Sequence, residues 1–93
     1  MTITKSKRIG QKSAWVETWE AADRQPVKVL KSYSTRVAFA TGTEGYISTS
    51  YYYGGKSQTT GRHISCFTRE YPGVTWHEVE HWEFNTRLSQ VLA

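Results

Sequence analysis

The run His77-Glu78-Val79-Glu80-His81 has the residue types and spacing of a zinc hydrolase. On a helix, imidazoles at i and i+4 share a face and could grip one Zn²⁺, with the glutamate between them acting as general base on a metal-bound water. Two features weigh against this chemistry. Glu80 places a charge where such a helix is normally buried beneath a cleft, and only 12 residues follow His81 to build the rest of a site. His63 would have to supply a third ligand from elsewhere. A second pair, His63 and Cys66, has the i, i+3 spacing of an imidazole and a thiol on one helix, the ingredients of a nucleophile. No third, orienting residue accompanies it, and a cysteine beside Phe67 suits core packing. The plainer readings, an exposed polar helix face and a core-filling thiol, outweigh both motifs. The chain is therefore expected to be non-catalytic, with no metal and no cofactor.

Cations and aromatic rings make the stronger signal. Arg36, Lys56, Arg62 and Lys28 can line the outer side of a sheet and the Gly54-Gly55 turn beside Tyr51 and Tyr53, with His63 near the first turn of a following helix. Phosphates pair with such cations and unstacked bases lie on phenol rings. Tyr, Trp and Arg are equally the usual anchors of protein interfaces. The expected partner-binding set is Arg36, Tyr51, Tyr53, Lys56, Arg62 and His63. The bland alternative is a sheet covered on both faces.

The elements that must position these residues begin with Ala14 to Glu20, whose closely spaced tryptophans favour a strand. Pro26 then forces a turn. Val27 to Ala40 is dense in β-branched and aromatic residues and reads as one long half-buried strand, its core face carrying Val27, Val29, Lys31, Tyr33, Thr35, Val37 and Phe39. A glycine-containing loop of about three to five residues leads to a second strand, Tyr46 to Tyr53. Thr59 or Thr60 caps a helix over Thr60 to Glu70, in which Ile64 and Phe67 form the docking pair, and Tyr71-Pro72-Gly73 ends it. Thr75-Trp76-His77-Glu78 matches a capping box, but Val79 and Trp82 fall off the apolar stripe of Phe84, Leu88, Val91 and Leu92. Residues 74 to 82 thus fit either helix or strand, with Val74 to His77 as a further strand in the second case. The expected fold is α+β: an antiparallel sheet of three or four strands, with a short central helix and a C-terminal helix on one face.

Ninety-three residues allow one core, since a chain this small buries only about 60 to 70% of its unfolded surface. The domain is placed at 13 to 93. Residues 1 to 12 carry Lys5, Lys7, Arg8 and Lys12 with no acid and few apolar residues, and read as a flexible basic arm. The formal net charge is +4, with basic blocks at 1 to 12 and 26 to 73 that could face one anionic partner. The single cysteine forms no internal disulfide, and no apolar run approaches the roughly 20 residues of a membrane span, so a cytoplasmic protein is expected. Four tryptophans and six tyrosines make a homodimer reasonable.

Leu30-Lys31-Ser32-Tyr33-Ser34-Thr35-Arg36-Val37-Ala38, then Tyr52-Tyr53, then Thr59-Thr60-Gly61-Arg62-His63-Ile64-Ser65-Cys66-Phe67, resembles a domain of unknown function in small proteins of bacteriophages and related mobile elements. That family has a Ser-Tyr-x-Thr-x-Val-Ala strand before a Thr-Thr-x-x-His-Ile-x-x-Phe helix. Gly61 departs from the serine expected there. The resemblance spans about forty residues and implies a phage accessory protein, with no activity to carry over. The function expected from this context is binding that inhibits a host nucleoprotein or defence complex, as anti-CRISPR proteins do. Direct binding of DNA or RNA is the first alternative, and a zinc-binding hydrolase built on His77 and His81 the second.

Overall fold

In the computed structural model, which describes residues 1–10, 13–52 and 58–93, the chain forms a six-stranded sheet with helices on both faces. Strands β1 (Thr2–Arg8), β2 (Ala14–Ala21), β3 (Arg24–Ser32), β4 (Thr35–Thr41) and β5 (Glu44–Ser48) follow one another as an antiparallel meander. A short helix, α1 (Thr49–Tyr52), and a longer one, α2 (Gln58–Arg69), then carry the chain to β6 (Thr75–Val79), which pairs parallel with β5. Helix α3 (His81–Leu92) follows directly. The architecture is α+β, but the sheet is larger than the three or four strands expected and mixed rather than antiparallel.

Alternation along β3 dictates the layers. Leu30 faces a core made with Val16, Ala38, Ile47 and, from α2, Ile64 and Phe67. Its neighbours Val27 and Val29 face the other way, onto Phe39 and, from α3, Phe84 and Leu88. Successive side chains of a strand point to opposite faces, so α2 and α3 must cover opposite sides of the sheet. The expectation of both helices on one face, over a single odd-numbered core face, is thereby corrected. In α2 the buried positions Thr60, His63, Ile64 and Phe67 recur at helical spacing, and in α3 Phe84 and Leu88 do the same.

Three element boundaries differ from expectation for identifiable reasons. The long strand from Val27 to Ala40 is a hairpin, because Tyr33 takes a left-handed backbone (φ 56°) and the chain reverses at Tyr33-Ser34, pairing Ser32 with Thr35. No glycine, proline or asparagine marks this turn. The following loop is tighter than expected, with Thr41 paired to Glu44 across Gly42-Thr43. The second strand stops at Ser48, and Thr49 to Tyr52 coil into α1.

Residues 1 to 12 were expected to form a flexible arm, yet Thr2 to Arg8 pair with β2 from Thr2↔Glu20 to Arg8↔Trp15, with an irregularity between Ile3 and Lys5. All seven residues of β1 are exposed, so main-chain hydrogen bonds hold this edge strand with little help from burial. At its outer end the Met1 amine donates to the carbonyl of Leu92, bringing the start of β1 against the end of α3.

Thr75 to Val79 form β6, so the capping-box pattern there is not a helix start. Pairing with β5 overrides the local signal, and the decisive contact is between Gly45 and Trp76, which are opposed across the two strands. A Cβ on Gly45 would lie 2.5 Å from the Trp76 ring and 2.8 Å from Val74 Cγ1. The bare glycine lets the indole lie on the strand and reach Phe67 edge-on at 5.6 Å, tying β6 to the α2 core. Among the described residues no helix is long and apolar enough to cross a membrane.

Gly45→Ala should displace Trp76 and cost about 1–3 kcal/mol in urea unfolding. A Trp76→Val partner substitution, by clearing the space, should recover part of that loss in the double variant.

Candidate functional site

The register of the sheet brings four side chains into one row that their sequence separation conceals. Arg8 opposes Trp15, Trp15 opposes Lys31, and Lys31 opposes Arg36, across β1 to β4. The row lies on the face that carries α3, because Glu17, Trp19 and Val29 alternate in step with it. The Arg8 guanidinium sits 5.7 Å from the centre of the Trp15 ring. Among the described residues neither Arg8 nor Lys31 has a carboxylate within ion-pair distance. At the hairpin tip beside them stands Tyr33, 52% exposed. Trp15, Lys31, Tyr33 and Ser6 wall a shallow hollow of about 250 Å³, closed at its base by Glu17.

Arg36 is set apart from the other cations. Its Nε donates to Glu17 Oε1 at 2.7 Å and its NH2 group to Oε2 at 3.1 Å, while the guanidinium lies 5.4 Å from the Trp19 ring. The Glu17 side chain is only 6% exposed. A buried carboxylate is tolerable only with its charge met, and a bidentate guanidinium meets it in the best geometry available. The Glu17 carboxylate in turn holds the Arg36 pKa above its ordinary value. Arg36 is therefore first a structural cation, fixing β2 to β4 across β3.

The other expected site residues that the structure describes, Tyr51, Arg62 and His63, do not gather around it. Tyr51 packs half-buried against the α2 core, its ring 5.0 Å from that of His81. Arg62 is exposed on α2. His63 is 2% exposed, with Nδ1 2.8 Å from Ser32 Oγ, which lies 3.0 Å from Thr60 Oγ1. Its other nitrogen, Nε2, is buried without a partner, and burial pushes the imidazole pKa down from its ordinary 6.5. Tyr53 and Lys56 lie outside the described residues. Arg36 and the α2 residues occupy opposite faces, so the expected set is not one surface. Arg8, Trp15, Lys31 and Tyr33 were missed. The sequence places Arg8 in a loose arm and Tyr33 on a core face; only the strand register brings Arg8, Trp15 and Lys31 into one row, with Tyr33 at its border.

The hydrolase motif is taken apart by the fold. His77 sits on β6, where its Nε2 lies 2.9 Å from Glu44 Oε1, while His81 is the first residue of α3 with Nδ1 2.9 Å from Ser48 Oγ. The two imidazoles share no helix face, which removes the geometric basis of the zincin reading. Among the described residues no three His, Cys, Asp or Glu side chains cluster as metal ligands.

Residues 3–80 match a family of unknown function, DUF8033, so the chain belongs to that family. The matched segment runs from β1 to β6 and stops just before α3. No curated protein and no solved structure gives a significant match.

Two outcomes follow from the buried groups. Arg36→Met should cost about 3 kcal/mol by stranding the Glu17 charge, and Glu17→Leu/Arg36→Met should be the more stable of the two variants in urea unfolding. For His63, the unfolded state takes up a proton near 6.5 while the folded state resists it to a lower pH. Stability should therefore fall as pH drops below about 6.5, by at most about 1.4 kcal/mol per pH unit from this group. Urea unfolding at about pH 7.5 and about pH 5.5 should show this added loss in the parent protein and not in His63→Gln.

Proposed function

We propose that the protein works by binding rather than catalysis, and that its target is a host nucleoprotein, contacted partly through its nucleic-acid phosphates. The observation that carries this reading is the row Arg8–Trp15–Lys31, bordered by the exposed Tyr33. Unpaired cations at strand spacing suit a phosphate backbone, and a ring standing out at a hairpin tip offers a stacking or anchoring face. On β1, Lys5 and Lys7 pair with Thr18 and Val16 and so fall on the opposite face, leaving Arg8 as that strand's cation in the row. On this reading the protein is an accessory of a phage or other mobile element, acts in the host cytoplasm, and blocks its target much as an anti-CRISPR protein would. The sequence resemblance supplies that biological context.

A second reading, binding of free single-stranded nucleic acid, is favoured by the alternation of cations with Trp15 in one row and the exposed Tyr33 ring at its border. The backbone at Tyr33 gives the binding role a distinctive signature. A non-glycine residue at φ 56° is strained; here the Tyr33 N–H donates to the Ser13 carbonyl at 2.7 Å and the ring lies 6.0 Å from that of His63, which holds the half-exposed phenol in place at the hairpin tip.

Tyr33→Gly, which keeps the left-handed turn and removes the ring, should leave the protein folded while weakening target binding. The parent protein captured on resin from host lysate should retain its partner, and Arg8→Ala/Lys31→Ala should lose it. Survival of the complex after nuclease treatment distinguishes the nucleoprotein reading from free nucleic acid. For the latter, a labelled single-stranded oligonucleotide should bind with a salt dependence that falls by about one unit of slope for each cation removed. Unchanged capture by both variants would refute the site.

A further inference from the structure

A second cavity, on the opposite face of the sheet from the cationic row, lies between α2 and the Ile9-Gly10 segment that leaves β1. Its volume is about 290 Å³, and Ile9, Gly10, Arg62, His63, Cys66 and Arg69 line it. The four α2 residues fall on one side of the helix, with Arg62 and Arg69 about 10 Å apart along its axis and His63 and Cys66 between them. The floor is apolar or weakly polar, from Ile9 and the Cys66 thiol. The two arginines are exposed, and among the described residues no carboxylate contributes to the wall.

His63 is the unexplained part of this wall. Its Nδ1 is held by Ser32, and Ser32 by Thr60, so one edge of the ring is consumed in the core. The other nitrogen, Nε2, has no partner although the residue is 98% removed from solvent, being 2% exposed. Leaving such a buried polar atom unmatched is costly, and a native protein rarely does so without a use for it. If Ser32 donates to Nδ1, Nε2 carries the proton and is a buried donor in a residue that lines the cavity; in the reverse arrangement it would be a bare acceptor suited to a cation. The flanking charges decide between these. Two guanidiniums and no acid repel a metal ion and attract an anionic oxygen.

We propose that this cavity binds a small carboxylate with an apolar body, one oxygen accepting from His63 Nε2–H and the charge met by Arg62 and Arg69 at the mouth. The apolar body rests on Ile9 and Cys66. A few convergent polar groups on an otherwise apolar hollow is the usual composition of a small-ligand site. The cavity lies on the other face from Arg8, Trp15 and Lys31, although the Tyr33 ring that borders their row is 6.0 Å from the His63 ring.

The test uses benzoate as the probe, followed by the ¹⁵N resonances of the His63 ring in the full chain. Benzoate should shift Nε2 saturably, acetate should bind more weakly because it lacks the apolar body, and chloride at equal ionic strength should leave Nε2 unmoved. Arg62→Gln/Arg69→Gln changes only exposed side chains and should fold normally, yet weaken benzoate by about tenfold or more. Cys66→Leu, which fills the floor, should exclude benzoate while the protein stays folded. The proposal fails if Nε2 does not respond, if chloride acts like benzoate, if the double arginine variant binds unchanged, or if Zn²⁺ rather than benzoate saturates the site.

Discussion

The structure depends on a central pair of strands that are apolar on both sides. Val27 and Val29 cannot share a shelter with Leu30, since a strand sends neighbours to opposite faces. Each side needs its own helix, and the chain supplies them in turn. After five antiparallel strands it crosses one face as α1 and α2, returns to the sheet edge as β6, and only then lays α3 on the other face. The parallel step between β5 and β6 is the natural product of that crossing, because strands joined through a helix on one face run in the same direction. Gly45 under Trp76 is the local fit that lets the returning strand dock.

Much of this was legible in the residues and some was not, for physical reasons. The tryptophan-bearing strand β2, the apolar stripes of α2 and α3 and the α+β class follow from periodicity, which reports burial directly. The hairpin between β3 and β4 did not, because its turn is made by Tyr33, whose left-handed backbone has no sequence marker. A length of 14 residues, long for a strand, was the available hint. β1 escaped because its side chains are exposed on both faces, and a strand held by main-chain bonds leaves no apolar pattern. Opposite placement of the helices was implied by the adjacent Val29 and Leu30, but polar Lys28 and Lys31 around them resemble a one-sided strand.

The candidate site was harder still. Charge and ring content pointed to a basic, aromatic binding surface, while the particular residues depended on register, a property of the folded sheet alone. Arg36 illustrates the difference. As a sequence position it is a cation among polar neighbours; in the sheet it neutralises the buried Glu17 and stiffens the platform on which Arg8, Trp15 and Lys31 stand. Support thus falls to Arg36, while the binding role proposed for the row falls to its neighbours Arg8 and Lys31. The second face follows a different logic, with a buried imidazole engaged at one nitrogen and idle at the other.

The contact between the Met1 nitrogen and the Leu92 carbonyl clasps the outer edge strand to the last turn of α3. Because β1 buries none of its side chains, that clasp couples its hold on the sheet to the seating of a helix far away in sequence. Loosening α3 would therefore free the sheet edge as well, baring the unpaired main chain of β2 to any strand that could take its place.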